Sequence, residues 1–80
     1  MKYYEQFIRE AKQLGWVFEE HRMYKKVGDK EIDIEFCISD FCVGIYDKNL
    51  ELLEDKIRCT SVLEAFVMSY VLQDKYLDHD

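Results

Sequence analysis

Glu31-Ile-Asp-Ile-Glu-Phe-Cys-Ile-Ser-Asp-Phe-Cys-Val-Gly-Ile-Tyr46 alternates apolar and polar residues on both sides of a short polar break. A period of two marks a strand with one face buried. Folded about Ser39-Asp40, the stretch places Ile32, Ile34, Phe36, Ile38, Phe41, Val43 and Ile45 on one face. The opposite face receives Glu31, Asp33, Glu35, Cys37, Cys42, Gly44 and Tyr46. The chain therefore encodes a hairpin with an apolar side and an acidic side, and this fold must supply something apolar to cover the first.

Working outward toward the N-terminus, Gly28-Asp29 reads as a tight turn, since glycine at the first central position suits a type II′ hairpin. That turn sets Lys26 opposite Glu31, Tyr24 opposite Asp33 and Arg22 opposite Glu35. Opposite charges facing across strands stabilise by about 0.2–1 kcal/mol each. Residues 16–26 read as one strand in this register. It leaves Trp16 and Phe18 on the polar side and turns His21 inward, which a bulge between Phe18 and Arg22 repairs. Residues 2–14 form a helix, because Tyr4, Phe7, Ile8, Ala11 and Leu14 recur at intervals of three and four. Gly15 stands where a helix is expected to end.

Toward the C-terminus, Asp47-Lys48-Asn49 supplies turn chemistry. Residues 51–58 fit either a helix, through Leu50, Leu53 and Ile57, or a fourth strand, and the strand is expected from its place after a turn. Ser61-x-x-Glu64 is a capping box, so a helix runs from Val62 to about Leu77. Val62, Ala65, Phe66, Ser69, Tyr70 and Gln73 share one side. Leu63, Val67, Val71 and Leu72 widen the apolar surface beyond what one flank of a small core requires. Either sheet and first helix nearly surround this helix, or its spare side meets another chain. The order α-β-β-β-(β)-α predicts a two-layer α+β sandwich: an antiparallel sheet of three or four strands with both helices on its apolar face.

Eighty residues make one domain, which buries only about 60% of its unfolded surface. Its 11 basic against 17 acidic residues give a net charge of −6. That charge repels phosphate backbones and anionic lipid, so neither direct nucleic-acid binding nor membrane association is expected. No apolar run approaches the length needed to span a bilayer. A basic protein surface is the expected partner. Three cysteines cannot complete a disulfide framework, and Met1-Lys-Tyr-Tyr-Glu leads into an amphipathic pattern rather than a leader. A reducing cytoplasm is the expected compartment.

No cofactor or metal is expected. The glycines at 15, 28 and 44 are isolated, so no phosphate-binding loop exists. Cys37 and Cys42 are directly opposed if the hairpin centres on Ser39-Asp40, which makes them either packed thiols or a redox pair. Their spacing is not that of a standard zinc knuckle. His21 lies beside Glu19 and Glu20 without a nucleophile in a recognisable motif and reads as structural, whereas His79 is expected to be terminal and mobile. No catalytic residue is assigned.

Glu31, Asp33 and Glu35 recur every two residues along a strand, a spacing of about 6.6–6.8 Å that is comparable to successive phosphates of a nucleic-acid strand. Tyr24 and Tyr46 flank them, and tyrosine favours protein interfaces. Glu51, Glu54 and Asp55 extend the negative field. These eight residues form the expected contact surface for a basic groove, unless Arg22 and Lys26 neutralise the row from within. Val67, Val71 and Leu72 are the anchors of the alternative, a self-associating last helix in a small oligomerising subunit. Monomer and homodimer both remain open.

Size, acidity, element order and the carboxylate face of residues 31–35 resemble the small inhibitors encoded by phages and mobile elements, of which anti-CRISPR proteins are an example. The resemblance implies a non-enzymatic protein that blocks a nucleic-acid site on a nuclease such as a CRISPR effector. That class has no shared motif, so it assigns no residue. The helix, three strands and helix also resemble a double-stranded-RNA-binding domain. Residues 60–66 lack the basic cluster that such a domain carries at the start of its last helix.

Overall fold

The computed structural model describes residues 2–77, with the side chains of residues 2–4 and 77 outside the description. His79, considered above, lies outside it, as do Asp78 and Asp80. The order is α1 (Lys2–Gln13), β1 (Val17–Phe18), β2 (Arg22–Val27), β3 (Lys30–Phe36), β4 (Phe41–Tyr46), β5 (Ile57–Cys59) and α2 (Val62–Leu77). The five strands form one antiparallel sheet in sequential order. The expected α+β sandwich is therefore present, with one strand more than expected.

The β2–β3 register is the one its turn chemistry predicts. Arg22 pairs with Glu35, Tyr24 with Asp33 and Lys26 with Glu31. Gly28 takes a φ of 63°, and no other residue of that turn has a positive φ, as a type II′ turn requires. The β3–β4 register differs by two residues from a hairpin centred on Ser39-Asp40. Glu35 faces Cys42 and Phe36 faces Phe41, which leaves Ile38-Ser39 as the loop. Cys37 N–H donates to the Asp40 carbonyl at 2.8 Å across it. A shift of two keeps every side chain on its face, so the division into apolar and polar sides survives. Ile38 is the exception, lying fully exposed at the tip rather than on the core face.

The single strand expected over residues 16–26 is instead two strands. Val17 pairs with Tyr24 and Phe18 with Met23, and Glu19 N–H donates to the Arg22 carbonyl at 2.8 Å to close the turn. Folding back here resolves the conflict of faces that one continuous strand creates. Trp16 is buried, Phe18 packs on the core, and His21 is exposed instead of turned inward. The segment after β4 is mostly loop, with a bridge between Tyr46 and Leu52 before the short β5. Leu50 adopts a φ of 65° and is exposed.

Ile32, Ile34, Val43, Ile45 and Met23 project from the apolar sheet face into the core, where Ala65, Ser69 and Leu72 of α2 meet them. Burying a Val- to Met-sized side chain contributes about 1.5–3 kcal/mol. Both helices lie on this side. α1 leans on α2 through Phe7 and Phe66, whose rings meet edge-on at 5.2 Å. It ends in a Schellman motif. Gly15, at φ 103°, donates to the Lys12 carbonyl, and Trp16 N–H donates to that of Ala11. The turn swings Trp16 under Phe66. Leu14, expected on the buried stripe, falls just after the last residue of α1 and is exposed. α2 starts at its predicted cap. Ser61 Oγ accepts from Glu64 N–H at 3.1 Å, and Glu64 Oε1 accepts from Thr60 N–H at 3.0 Å.

Candidate functional site

The polar face of the sheet brings Glu31, Asp33 and Glu35 into line as expected, but it also brings their counter-charges. Arg22 Nη1 reaches diagonally across β3 to both oxygens of Asp33 at 2.8 Å and to Glu31 Oε2 at 3.3 Å. Its Nε holds Glu19 at 2.9 Å, and its guanidinium stacks over the Tyr24 ring at 4.3 Å. These hydrogen bonds, that to Glu19 foremost, push the guanidinium pKa further up. Lys56 takes Glu35, and that bond together with Tyr46 raises the Lys56 pKa.

Burial compounds the pairing. Asp33 is only 7% exposed, and burial raises its carboxyl pKa against the pull of Arg22. The β4–β5 loop lies on the same face. A Cβ at Gly44 would meet Leu52 at 3.2 Å and Lys56 and Tyr46 at 3.4 Å, so the side chains of the loop pack closely over the bare backbone there. The solvent-facing, uncompensated carboxylate row expected from the sequence is therefore corrected: internal cations occupy it and Asp33 is buried. Tyr24 and Tyr46 serve as walls of this network rather than as open contact area.

The supporting acids divide. Glu54 accepts from Lys75 Nζ at 2.7 Å and from Tyr76 Oη at 2.6 Å, which lowers the Glu54 pKa and raises that of Tyr76. Glu51 and Asp55 are exposed, and no ion pair joins either one among the described residues.

The outer side of α2 is the reverse case. Leu63, Val67 and Val71 are 66%, 54% and 49% exposed, one every fourth residue, and so form a single line along the helix. Phe66 and Tyr70 border the line and, with Val67, Val71 and Asp74, outline a shallow groove. Leu72, expected among the anchors, is 2% exposed and belongs to the core, being one helical step round from Val71. Leu63 takes its place, and the spacing Leu63-x3-Val67-x3-Val71 was the available signal.

The third cluster lies at the β3–β4 turn. Cys37 and Cys42 are free thiols with Sγ atoms 3.7 Å apart, in a hydrogen bond. They stand diagonally rather than opposite, because the register places Cys37 against Asp40. That bond, followed by burial, raises the Cys37 pKa. A carboxylate oxygen of Asp40 joins the two sulfurs, all three donors lying within 4.8 Å of one another. Arg58 Nε holds Asp40 Oδ2 at 3.1 Å. The sequence reading missed Asp40 because it placed that residue in the turn. This set has the donors to hold a metal ion.

No family model, curated protein or solved structure matches this chain. No helix among the described residues is long and apolar enough to cross a membrane.

Proposed function

We propose that this protein is a non-catalytic association module that pairs with a second copy of itself along the outer side of α2. The observation that carries the reading is the line of Leu63, Val67 and Val71, about half exposed or more on a helix with no charged residue between Ala65 and Gln73. A helix apolar all round belongs inside a structure, and one chain covers only one of its sides. The second copy follows from charge and symmetry. An uncharged line offers nothing to a basic partner. Two copies of α2 crossing antiparallel about Val67 set Leu63 against Val71 of the second copy, so the line is complementary to itself. The sheet borders are a poorer route, since β1 and β5 have two and three residues and short edges offer few backbone groups to pair.

Sedimentation equilibrium across protein concentration, at low and high salt, tests this. A dimer is expected, tightened by salt because screening relieves repulsion between two chains of charge −6. Val67→Glu sets two carboxylates face to face on the symmetry axis and should give a monomer. A wild-type chain that stays monomeric at the highest attainable concentration removes the proposal.

The reading as an acidic inhibitor of a nucleic-acid-handling protein stands second. Its support is the net charge and the open carboxylates Glu51 and Asp55. It requires the opposite salt response, because attraction to a basic groove weakens with screening.

A further inference from the structure

We infer that Cys37, Asp40 and Cys42 form a binding site for a tetrahedral, thiophilic divalent cation of the zinc type. The site lies on the polar face of the sheet, away from α2, and is independent of the association proposed above.

Three observations converge on it. Two thiolates bonded to zinc at about 2.3 Å stand about 3.8 Å apart at the tetrahedral angle, and these sulfurs lie 3.7 Å apart. Two thiols in plain contact have the same spacing, so the third donor is what distinguishes a site from a contact. Asp40 brings a carboxylate oxygen within 4.8 Å of both sulfurs, and carboxylate is an ordinary zinc ligand. Third, ligating carboxylates are oriented by hydrogen bonds from a surrounding layer of residues. Arg58 Nε stands 3.1 Å from Asp40 Oδ2 as an ion pair and constrains that carboxylate from outside the cluster.

The hairpin gives the donors a common frame. Cys37 and Asp40 flank a two-residue loop closed by a backbone hydrogen bond. Cys42 is held in β4 opposite Glu35, with Arg58 of β5 on its other side. The side chains therefore approach from anchored backbone. Two thiolates and a carboxylate bring three negative charges. The divalent cation and the Arg58 guanidinium balance them. Because Cys37 is exposed, the fourth position opens to solvent and takes water. Binding converts two thiols to thiolates, so the pair together releases two protons to buffer for each cation bound.

The experiment uses the full chain, reduced with a phosphine, titrated with Co2+ and then with Zn2+. One cobalt per chain should bind, with the thiolate-to-cobalt charge-transfer band and intense visible absorption of a tetrahedral centre, and zinc should displace it. Heats of zinc binding in buffers of different ionisation enthalpy should report two protons released. Cys37→Ser and Cys42→Ser should each abolish the spectrum. Asp40→Asn and Arg58→Ala should each weaken binding by about tenfold or more, while Cys59→Ser, a buried residue outside the cluster, leaves it unchanged. If a serine variant fails to fold, alkylation of the wild type decides instead: zinc should protect Cys37 and Cys42 together. The proposal is overturned by a weak octahedral cobalt spectrum, by one metal per two chains, by affinity indifferent to Asp40→Asn, or by equal alkylation with and without zinc.

Discussion

On the polar face of the sheet, the carboxylates of Glu19, Glu31, Asp33 and Glu35 meet two cations, Arg22 and Lys56, and a loop lies across them. On the outer side of α2, three aliphatic side chains, Leu63, Val67 and Val71, stand largely open to solvent. The first surface is conspicuous in sequence and is nearly spent on internal contacts. The second is obscured by a mostly apolar stretch of sequence and is left open. Charge on a surface is therefore a poor guide to what the surface is for unless the reach of neighbouring side chains is counted. Arg22 spans several carboxylates because a guanidinium offers five donors on a long stem.

The sharpest way to break this contrast is Arg22→Met. It keeps an apolar stem over Tyr24 but leaves Asp33 buried without its counter-charge. Removing one partner of a buried ion pair costs about 3 kcal/mol or more, read as a lower urea midpoint. If stability barely changes, the polar face is not organised around Arg22, and the carboxylates are freer than the contacts imply.

Next in size is the comparison of neighbours on α2. Leu72→Ala should cost about 2–5 kcal/mol, as large-to-small changes in a core do. Val71→Ala, measured on protein dilute enough to be monomeric, should stay within about 0.5 kcal/mol, as exposed positions do. Equal losses would mean that the outer line is already packed.

The smallest effects are in pH, and they run in opposite directions. The Asp33 carboxyl is raised by burial, so its contribution is fully present below its unfolded pKa and is lost as pH rises through the folded one. The Glu54 carboxylate is lowered by Lys75 and then Tyr76, so its contribution is present above its unfolded pKa and is lost as pH falls through the folded one. Urea midpoints followed from about pH 3 to about pH 7, spanning the ordinary carboxylate range, should show Asp33→Asn gaining on the wild type as pH rises. Over the same range Glu54→Gln should fall further behind the wild type. Parallel curves would erase the distinction between a buried and a surface carboxylate.

The elements that could be read in advance are those with local chemistry. The turn at Gly28 needs a positive φ, and that one requirement sets the whole β2–β3 register. Ser61 and Glu64 mark the start of α2, and Gly15 marks the end of α1. The elements that could not be read depend on distant parts of the chain. Nothing near Ile38 announces that an isoleucine will sit at a hairpin tip, because the cost of exposing it is offset by aligning Phe36 with Phe41, whose rings meet edge-on at 5.7 Å. The break between Phe18 and Arg22 is decided by burial of Trp16 under Phe66. Lys56 reaches Glu35 only because the loop before β5 folds back, a path that residues 51–58 do not declare. For the candidate sites, residue type was legible and company was not. The carboxylates, the thiols, the aliphatic line and Arg22 as a neutralising cation could all be named, but Lys56, Asp40 and the inward turn of Leu72 needed the folded chain.

The missing side chain at Gly44 gives the molecule a notch at mid-sheet, and Leu52 rests its methyl groups there. A hydrogen atom at that position is what permits the crossing strap to seat. An alanine there would press on the side chains of Leu52, Lys56 and Tyr46, which would have to give by a few tenths of an ångström.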